Sequence, residues 1–271
     1  MLVSFIAASW GLLDRSLLAA KACSLAFVPI DALDREPYYR GLRAIAQVEE
    51  PGQSGATAFV TDDQTIVIAC RGSASFKNFR TNLDIGPVPL QLPGASPAAR
   101  VHKGFQRASG QLWEQLRSQI PPSDKPILLT GHSLGGGTAT LLGLHLASEG
   151  REAELLTIAG PRLGNAAFAE FYRSRCAPAT HLVHDDDQVL QSNTQLWDDL
   201  GFEHVGKVVS CDKATPCIYP RDEANEGTCL VPPASSGPPS LKGVFVDHCN
   251  YLGVYIGCRV EHPSVWLRSP F

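Results

Sequence analysis

The chain has 271 residues, 44% of them apolar and only 18% charged, enough for one large α/β domain with a sizeable buried core. Its 23 Lys and Arg against 27 Asp and Glu give a net charge of -4 with no local basic cluster, which excludes the electrostatic footprint of a nucleic-acid binder. No apolar run reaches the roughly 18–20 residues that span a bilayer, and Leu2–Leu13, broken by Ser4, Ser9 and Gly11 with no Lys or Arg ahead of it, makes a poor leader peptide.

The first forty residues read as helical: Leu12, Leu13, Leu17, Leu18, Ala22 and Leu25 recur at three- and four-residue spacing and form one apolar stripe. The period then shortens. Ala56–Thr61 and Thr65–Cys70 are two strands around the turn Asp62-Asp63, and the second is almost wholly apolar and therefore central. A long connection follows over Ala74–Arg100, rich in Gly and Pro in its later part, and connections of that length are functional or mobile. Next come a helix over Phe105–Gln119, a strand over Pro126–Thr130, a Gly-rich turn and an apolar helix over Gly137–Ser148. A strand at Leu155–Ala159, a helix at Asn165–Arg175 and a strand at Thr180–His184 continue the alternation. This rhythm predicts an α/β fold with a mainly parallel sheet flanked by helices. Cys211–Ser240, with six prolines, reads as loop. There is no internal repeat, and residues 1–271 are expected to form a single domain.

Thr130-Gly131-His132-Ser133-Leu134-Gly135-Gly136 contains Gly-x-Ser-x-Gly. The pattern alone is common by chance, but here it lies between an apolar strand and an apolar helix, where a nucleophile elbow must be. Ser133 there takes a strained turn that lifts its hydroxyl off the sheet, and side chains two positions to either side would strike the backbone, hence Gly131 and Gly135. The N-terminus of the next helix offers free N–H groups, so the backbone of Leu134 can hold an oxyanion. The plainer alternative is a Gly-rich turn that binds phosphate or nothing, but no Lys-Ser/Thr follows the glycines as a phosphate loop needs.

A serine at its ordinary pKa needs a base, and the base needs an orienting acid. Asp185-Asp186-Asp187 lies just beyond the carboxyl end of a predicted parallel strand, where such sheets build their sites. His204, His248 and His262 follow, and residue type alone does not choose among them.

Four stretches together are similar to one family. Gly131-His132-Ser133-Leu134-Gly135-Gly136 resembles the elbow of the class 3 lipases, the fungal triacylglycerol lipase type. Cys70-Arg71-Gly72-Ser73, with Asn78-Phe79, resembles that family's oxyanion-loop segment. Val101-His102-Lys103-Gly104-Phe105 and Gly160-Pro161-Arg162-Leu163-Gly164-Asn165 resemble its Val-His-x-Gly-Phe and Gly-x-Pro-Arg-x-Gly-Asn. The matches run in family order over positions 70–258.

The resemblance implies an α/β-hydrolase fold and a serine esterase acting on lipid acyl esters, with no metal or cofactor. Ser133 would be the nucleophile. Asp187, in His184-Asp185-Asp186-Asp187-Gln188-Val189, would be the acid, although Leu190 stands where the family usually has Pro. His248, with an aromatic three residues on, would be the base, and His204 falls on a recurrent non-catalytic position. Ser73 would supply a second oxyanion donor beside Leu134. Residues 74–100 would include a lid, with Phe76 and Phe79 on one face of a short helix. That face either opens onto substrate at a lipid–water interface or packs permanently on the core.

By the same resemblance Cys23 and Cys258 would form a disulfide, with at least one more among Cys211, Cys217, Cys229 and Cys249. Cys70 and Cys176 read as reduced. Bridges imply secretion or an organelle lumen, with any leader removed or upstream; unbridged thiols would instead fit the cytoplasm. Cys211 and Cys217, six apart with no ligating His beside them, make a poor zinc site. Within the esterase reading, a triacylglycerol lipase, an sn-1 phospholipase, a galactolipase and a feruloyl esterase stay open. A different class also stays open: a catalytically inactive lipase-like interaction module. The ordered Ser133, Asp187 and His248 weigh against it.

Overall fold

The computed structural model describes residues 11–49, 54–72, 86–121, 127–191, 194–212, 214, 216–220, 228–229 and 244–256. Helix α1 (Leu12–Leu25) passes through two 3-10 turns (Ile30–Arg35 and Pro37–Tyr39) into strands β1 (Leu42–Glu49), β2 (Gly55–Thr61) and β3 (Ile66–Arg71). Short strands β4 (Pro87–Pro89) and β5 (Arg100–His102) precede α2 (Lys103–Leu116) and β6 (Ile127–His132). Then come α3 (Leu134–Ser148), β7 (Ala153–Ile158), β8 (Gly164–Asn165), α4 (Ala166–Arg175) and β9 (Ala179–Val183). Two short helices, α5 (Gln188–Gln191) and α6 (Thr194–Asp199), lead to β10 (Phe202–Glu203), β11 (Lys207–Cys211), β12 (Cys217–Pro220) and β13 (Thr228–Cys229). The last described elements are α7 (Val244–Cys249), β14 (Asn250–Tyr251) and β15 (Val254–Tyr255).

The main sheet runs in the order β1-β2-β3-β6-β7-β9-β11-β12-β13. Its middle strands from β3 to β11 pair in parallel, and the pairs toward both edges are antiparallel. The central strands alternate between two apolar layers. Ile66, Ile68, Leu129 and Leu155 face one layer, which α2, α3 and α4 cover, while Val67, Leu128 and Leu156 face the other, beneath α1. Burial on both faces is why these strands read as continuous apolar runs.

A second, four-stranded sheet (β10-β8-β5-β4) is tied together by Asn165. Its Oδ1 accepts from Phe168 N at 3.1 Å, capping α4, and from Arg100 N at 2.9 Å, while its Nδ2 donates to Ala98 O. A Cβ on Gly164 would stand 2.4 Å from Arg100 O, so β8 can approach β5 only as glycine. Gly164-Asn165, at the end of the Gly-Pro-Arg-Leu-Gly-Asn stretch, thus serve as scaffolding. The same holds for Val-His-Lys-Gly-Phe. His102 Nδ1 caps α2 by accepting from Gly104 N, and the Phe105 ring fills the space where a Cβ on Gly137 would sit.

One expectation is overturned. Cys23 is a free, buried thiol on the sheet-facing side of α1, so the Cys23–Cys258 bridge is not formed; Cys258 lies outside the described residues. Thr130 donates its hydroxyl proton to Leu156 O at 2.6 Å, which leaves Cys23 Sγ, 3.4 Å away, as the donor to Thr130 Oγ1. Cys70, Cys176, Cys211 and Cys249 are likewise outside any disulfide. Cys217 is disulfide-bonded, and its register partner across β12–β13 is Cys229. Among the described residues no helix is long and apolar enough to cross a membrane.

Candidate active site

Ser133 sits between β6 and α3 at φ +54°, ψ -125°, a backbone conformation costly for any residue with a side chain. The turn is held from both sides. Ser133 N donates to Ile158 O at 2.9 Å, and Gly136 N donates to Ser133 O at 2.9 Å. A Cβ on Gly131 would lie 2.2 Å from Gly135 O, and one on Gly135 would lie 2.1 Å from Cys70 O. Both glycines are therefore required by backbone-to-backbone approach. Leu134 is the first residue of α3, where N–H groups have no partner within the helix.

Asp187 follows β9 and His248 lies on α7, and the fold brings both to Ser133. The Ser133 hydroxyl donates to His248 Nε2 at 2.8 Å, and His248 Nδ1–H donates to Asp187 Oδ2 at 2.8 Å and Oδ1 at 3.0 Å. His248 and Asp187 are wholly buried, and Asp185 and Asp186 are exposed, as expected of bystanders. Leu190 in place of Pro does not shift the register: the backbone N–H groups of Val189 and Leu190 both donate to Asp187 Oδ1 at 3.1 Å.

Burial by itself would raise the pKa of Asp187. The hydrogen bond and charge of His248, the Tyr251 hydroxyl and the Leu190 N–H outweigh it and hold the carboxyl at about 2. Asp187 therefore stays ionised across the working range of an imidazole.

Three residues that the sequence did not single out complete the site. Tyr251 donates its hydroxyl to Asp187 Oδ2 at 2.7 Å. His132 donates Nε2–H to His248 O at 2.7 Å, and His184 donates Nε2–H to Asp247 O at 2.8 Å. For Tyr251 a signal exists, since it is the aromatic three residues after His248 that belongs to the family pattern. The two histidines lie inside the elbow motif and the stretch that leads to Asp187, but residue type gave no sign of what they would bond. His204 is not at this site; it packs on His181 with ring centroids 4.4 Å apart, and His262 lies outside the described residues. Ser73, Phe76 and Phe79 lie outside them too.

A shallow cleft, open to solvent, adjoins Ser133 and His248 and is lined by Leu134, Ala159, Pro161, Val189, Leu190 and Trp197. The Trp197 indole is fixed by parallel stacking on Phe202 at 6.0 Å and by the His102 ring at 6.4 Å. Among the described residues no group of three His, Cys, Asp or Glu side chains is placed to hold a metal ion.

Residues 67–196, from the third strand past the elbow and Asp187 into α6, match the model of the family Lipase (class 3). The chain belongs to the class 3 lipase family. It is 30% identical over 211 residues to a lipase of Rhizomucor miehei, covering 72% of this chain and 54% of that protein. It is 32% identical over 150 residues to secreted mono- and diacylglycerol lipase 1 of Fusarium solani, covering 51% and 43%. Thus the chain spans about half the length of the curated relatives it matches. Among solved structures it is similar, with TM-score 0.64 and 26% identity over 91% of this chain and 95% of that one, to a triacylglycerol lipase whose catalytic centre is a serine protease triad. This class 3 lipase chain has the α/β-hydrolase fold that its sheet order and strand–elbow–helix arrangement display.

Proposed function

We propose that this chain hydrolyses acyl esters of lipids through an acyl-enzyme formed on Ser133. The observation that carries the reading is the unbroken run of hydrogen bonds from the Ser133 hydroxyl through His248 to Asp187, beside an apolar cleft. Ser133 Oγ attacks the ester carbonyl carbon as its proton passes to His248 Nε2, and Asp187 fixes the imidazole tautomer and balances the imidazolium charge. The N–H of Leu134, with that of Ser73 as second donor, receives the carbonyl oxygen as it becomes an oxyanion. His248 then returns the proton to the departing alcohol, and water, activated by the same imidazole, releases the acid.

The mostly apolar lining of the cleft, with Val189, Leu190 and the Trp197 ring, favours an acyl chain. Phe76 and Phe79, in the connection over residues 74–100, are assigned to a lid that meets the lipid–water interface, while the later part of that connection is anchored in the second sheet through β4 and β5. Secretion is favoured by the name of the Fusarium solani relative and by the disulfide at Cys217.

The test is hydrolysis of p-nitrophenyl esters from C2 to C16 by the protein and by Ser133→Ala. Activity should be lost in the variant by at least about 10³-fold. Absence of turnover in the parent, on those esters and on emulsified triolein and phospholipid, would sink the reading.

A further inference from the structure

We propose that His132 and His184 are positioning residues that tether the catalytic histidine's backbone to the sheet; the inference rests on reading His248 as the base. His132 is the last residue of β6, His184 follows directly on β9, and both are buried. Their Nε2 atoms reach two successive carbonyls of α7, His248 O at 2.7 Å and Asp247 O at 2.8 Å. A carbonyl can only accept, so each imidazole carries a proton on Nε2.

Those carbonyls lie in the last turn of a six-residue helix, where C=O groups have no intrahelical partner. The next one, Cys249 O, is taken by Ile256 N at 2.7 Å. Three consecutive carbonyls around the base are thus held by donors from outside the helix. Such a short helix cannot orient a side chain by itself; here the sheet does so through two imidazoles. The Tyr251 ring lies against His184 at 4.4 Å and edge-on to His132 at 6.2 Å, which packs the two donors about the tyrosine that holds Asp187.

His132 also precedes the nucleophile in the chain. Ser133 and His248 are consequently joined twice, through the Ser133 hydroxyl to the imidazole ring and through the His132 ring to the His248 carbonyl. Burial, and then the proximity of His248, depress the His132 pKa to about 3. A neutral ring can stand 4.8 Å from His248 without opposing the imidazolium that forms in the reaction.

The experiment pairs two substitutions at each position. In Gln the side-chain amide nitrogen occupies the ε position and can reach the carbonyl; in Asn it stops at δ. Turnover of p-nitrophenyl butyrate by His132→Gln and His184→Gln should stay within about threefold of the parent. His132→Asn and His184→Asn should lose about 10- to 100-fold in kcat with KM within about twofold, the signature of a misplaced group rather than a lost substrate contact. Equal losses in the Gln and Asn variants, or none in either, would overturn the tether.

A second measurement needs no variant. Proton–nitrogen spectra of the folded parent, labelled at histidine, should show slowly exchanging Nε2–H on His132 and His184, and Nδ1–H tautomers there would overturn the proposal. A parent without Ser133-dependent turnover but with Nε2–H on both rings would fail the functional reading and not the tether geometry.

Discussion

The Tyr251 hydroxyl donates to Asp187 Oδ2 at 2.7 Å, on the same oxygen that receives His248 Nδ1–H at 2.8 Å. Asp187 therefore has donors on both oxygens without needing water. Tyr251→Phe removes one of them in a wholly buried site. It should cost about 1.5–3 kcal/mol of stability, the worth of a hydrogen bond to a buried charge. It should also lower kcat by about tenfold with KM little changed. Thermal unfolding and steady-state kinetics on one ester check both.

Glycine requirements differ sharply along the chain. Gly135→Ala drives a Cβ to 2.1 Å from Cys70 O, and the obstacle is backbone. Loss of more than about 3 kcal/mol, seen as a protein that is insoluble or melts far lower, is expected. Gly110, on α2, has nothing within 4 Å of its would-be Cβ. Gly110→Ala should stabilise by about 0.5–1 kcal/mol through helix propensity. Melting curves of the two variants side by side test the contrast.

Acid should weaken the fold through the His181–His204 pair. Burial, and then His204, push the His181 pKa well down; burial, and then the Arg162 charge, lower His204 to about 4. In the unfolded chain both titrate near 6.5. Below that value the unfolded state binds protons that the folded state refuses, so their stability contribution is full above about pH 6.5 and falls as pH drops toward 4. His204→Phe should flatten the decline of melting temperature between pH 6.5 and 4. An unchanged slope would show that other groups govern it.

Cys23, Cys70 and Cys211 should be inert in the folded protein. Burial raises all three thiol pKa values, Cys23 to about 12. A thiol reagent at pH 8 should leave them unmodified over hours and label them promptly in denaturant. Mass spectrometry after each treatment gives the answer, and rapid native labelling of Cys23 would refute its placement against Thr130.

Much of this architecture was legible in the residues because the central strands are apolar on both faces and the helices between them periodic. Strand β1 was not. Its register with β2 slips between Ala44 and Ala46, and that irregularity spoils the alternation by which an edge strand is recognised. Helix α3 begins at Leu134 and not at Gly137, because three successive glycines read as a breaker; here close contacts to β3, Gly160 and Phe105 demand them.

In the site, Ser133 announced itself through its local motif, whereas Asp187 and His248 needed family resemblance to single them out. His132 and His184 stood inside recognised motifs, but their roles were not legible because these arise only from acceptors 116 and 63 positions away. Cys23 misled for the same reason: its partner is a threonine hydroxyl 107 positions along the chain.

Those long separations bear on folding as well as on recognition. The Ser133–His248 bond closes 115 residues and the His248–Asp187 bond 61, with β7 and β9 laid down between them. No local segment contains even a rudimentary site, so hydrolytic competence can arise only after the parallel strands have docked in order. Such non-local closures form late. During refolding, helical circular dichroism should therefore recover well ahead of esterase turnover, which makes the reaction itself a reporter of completed topology.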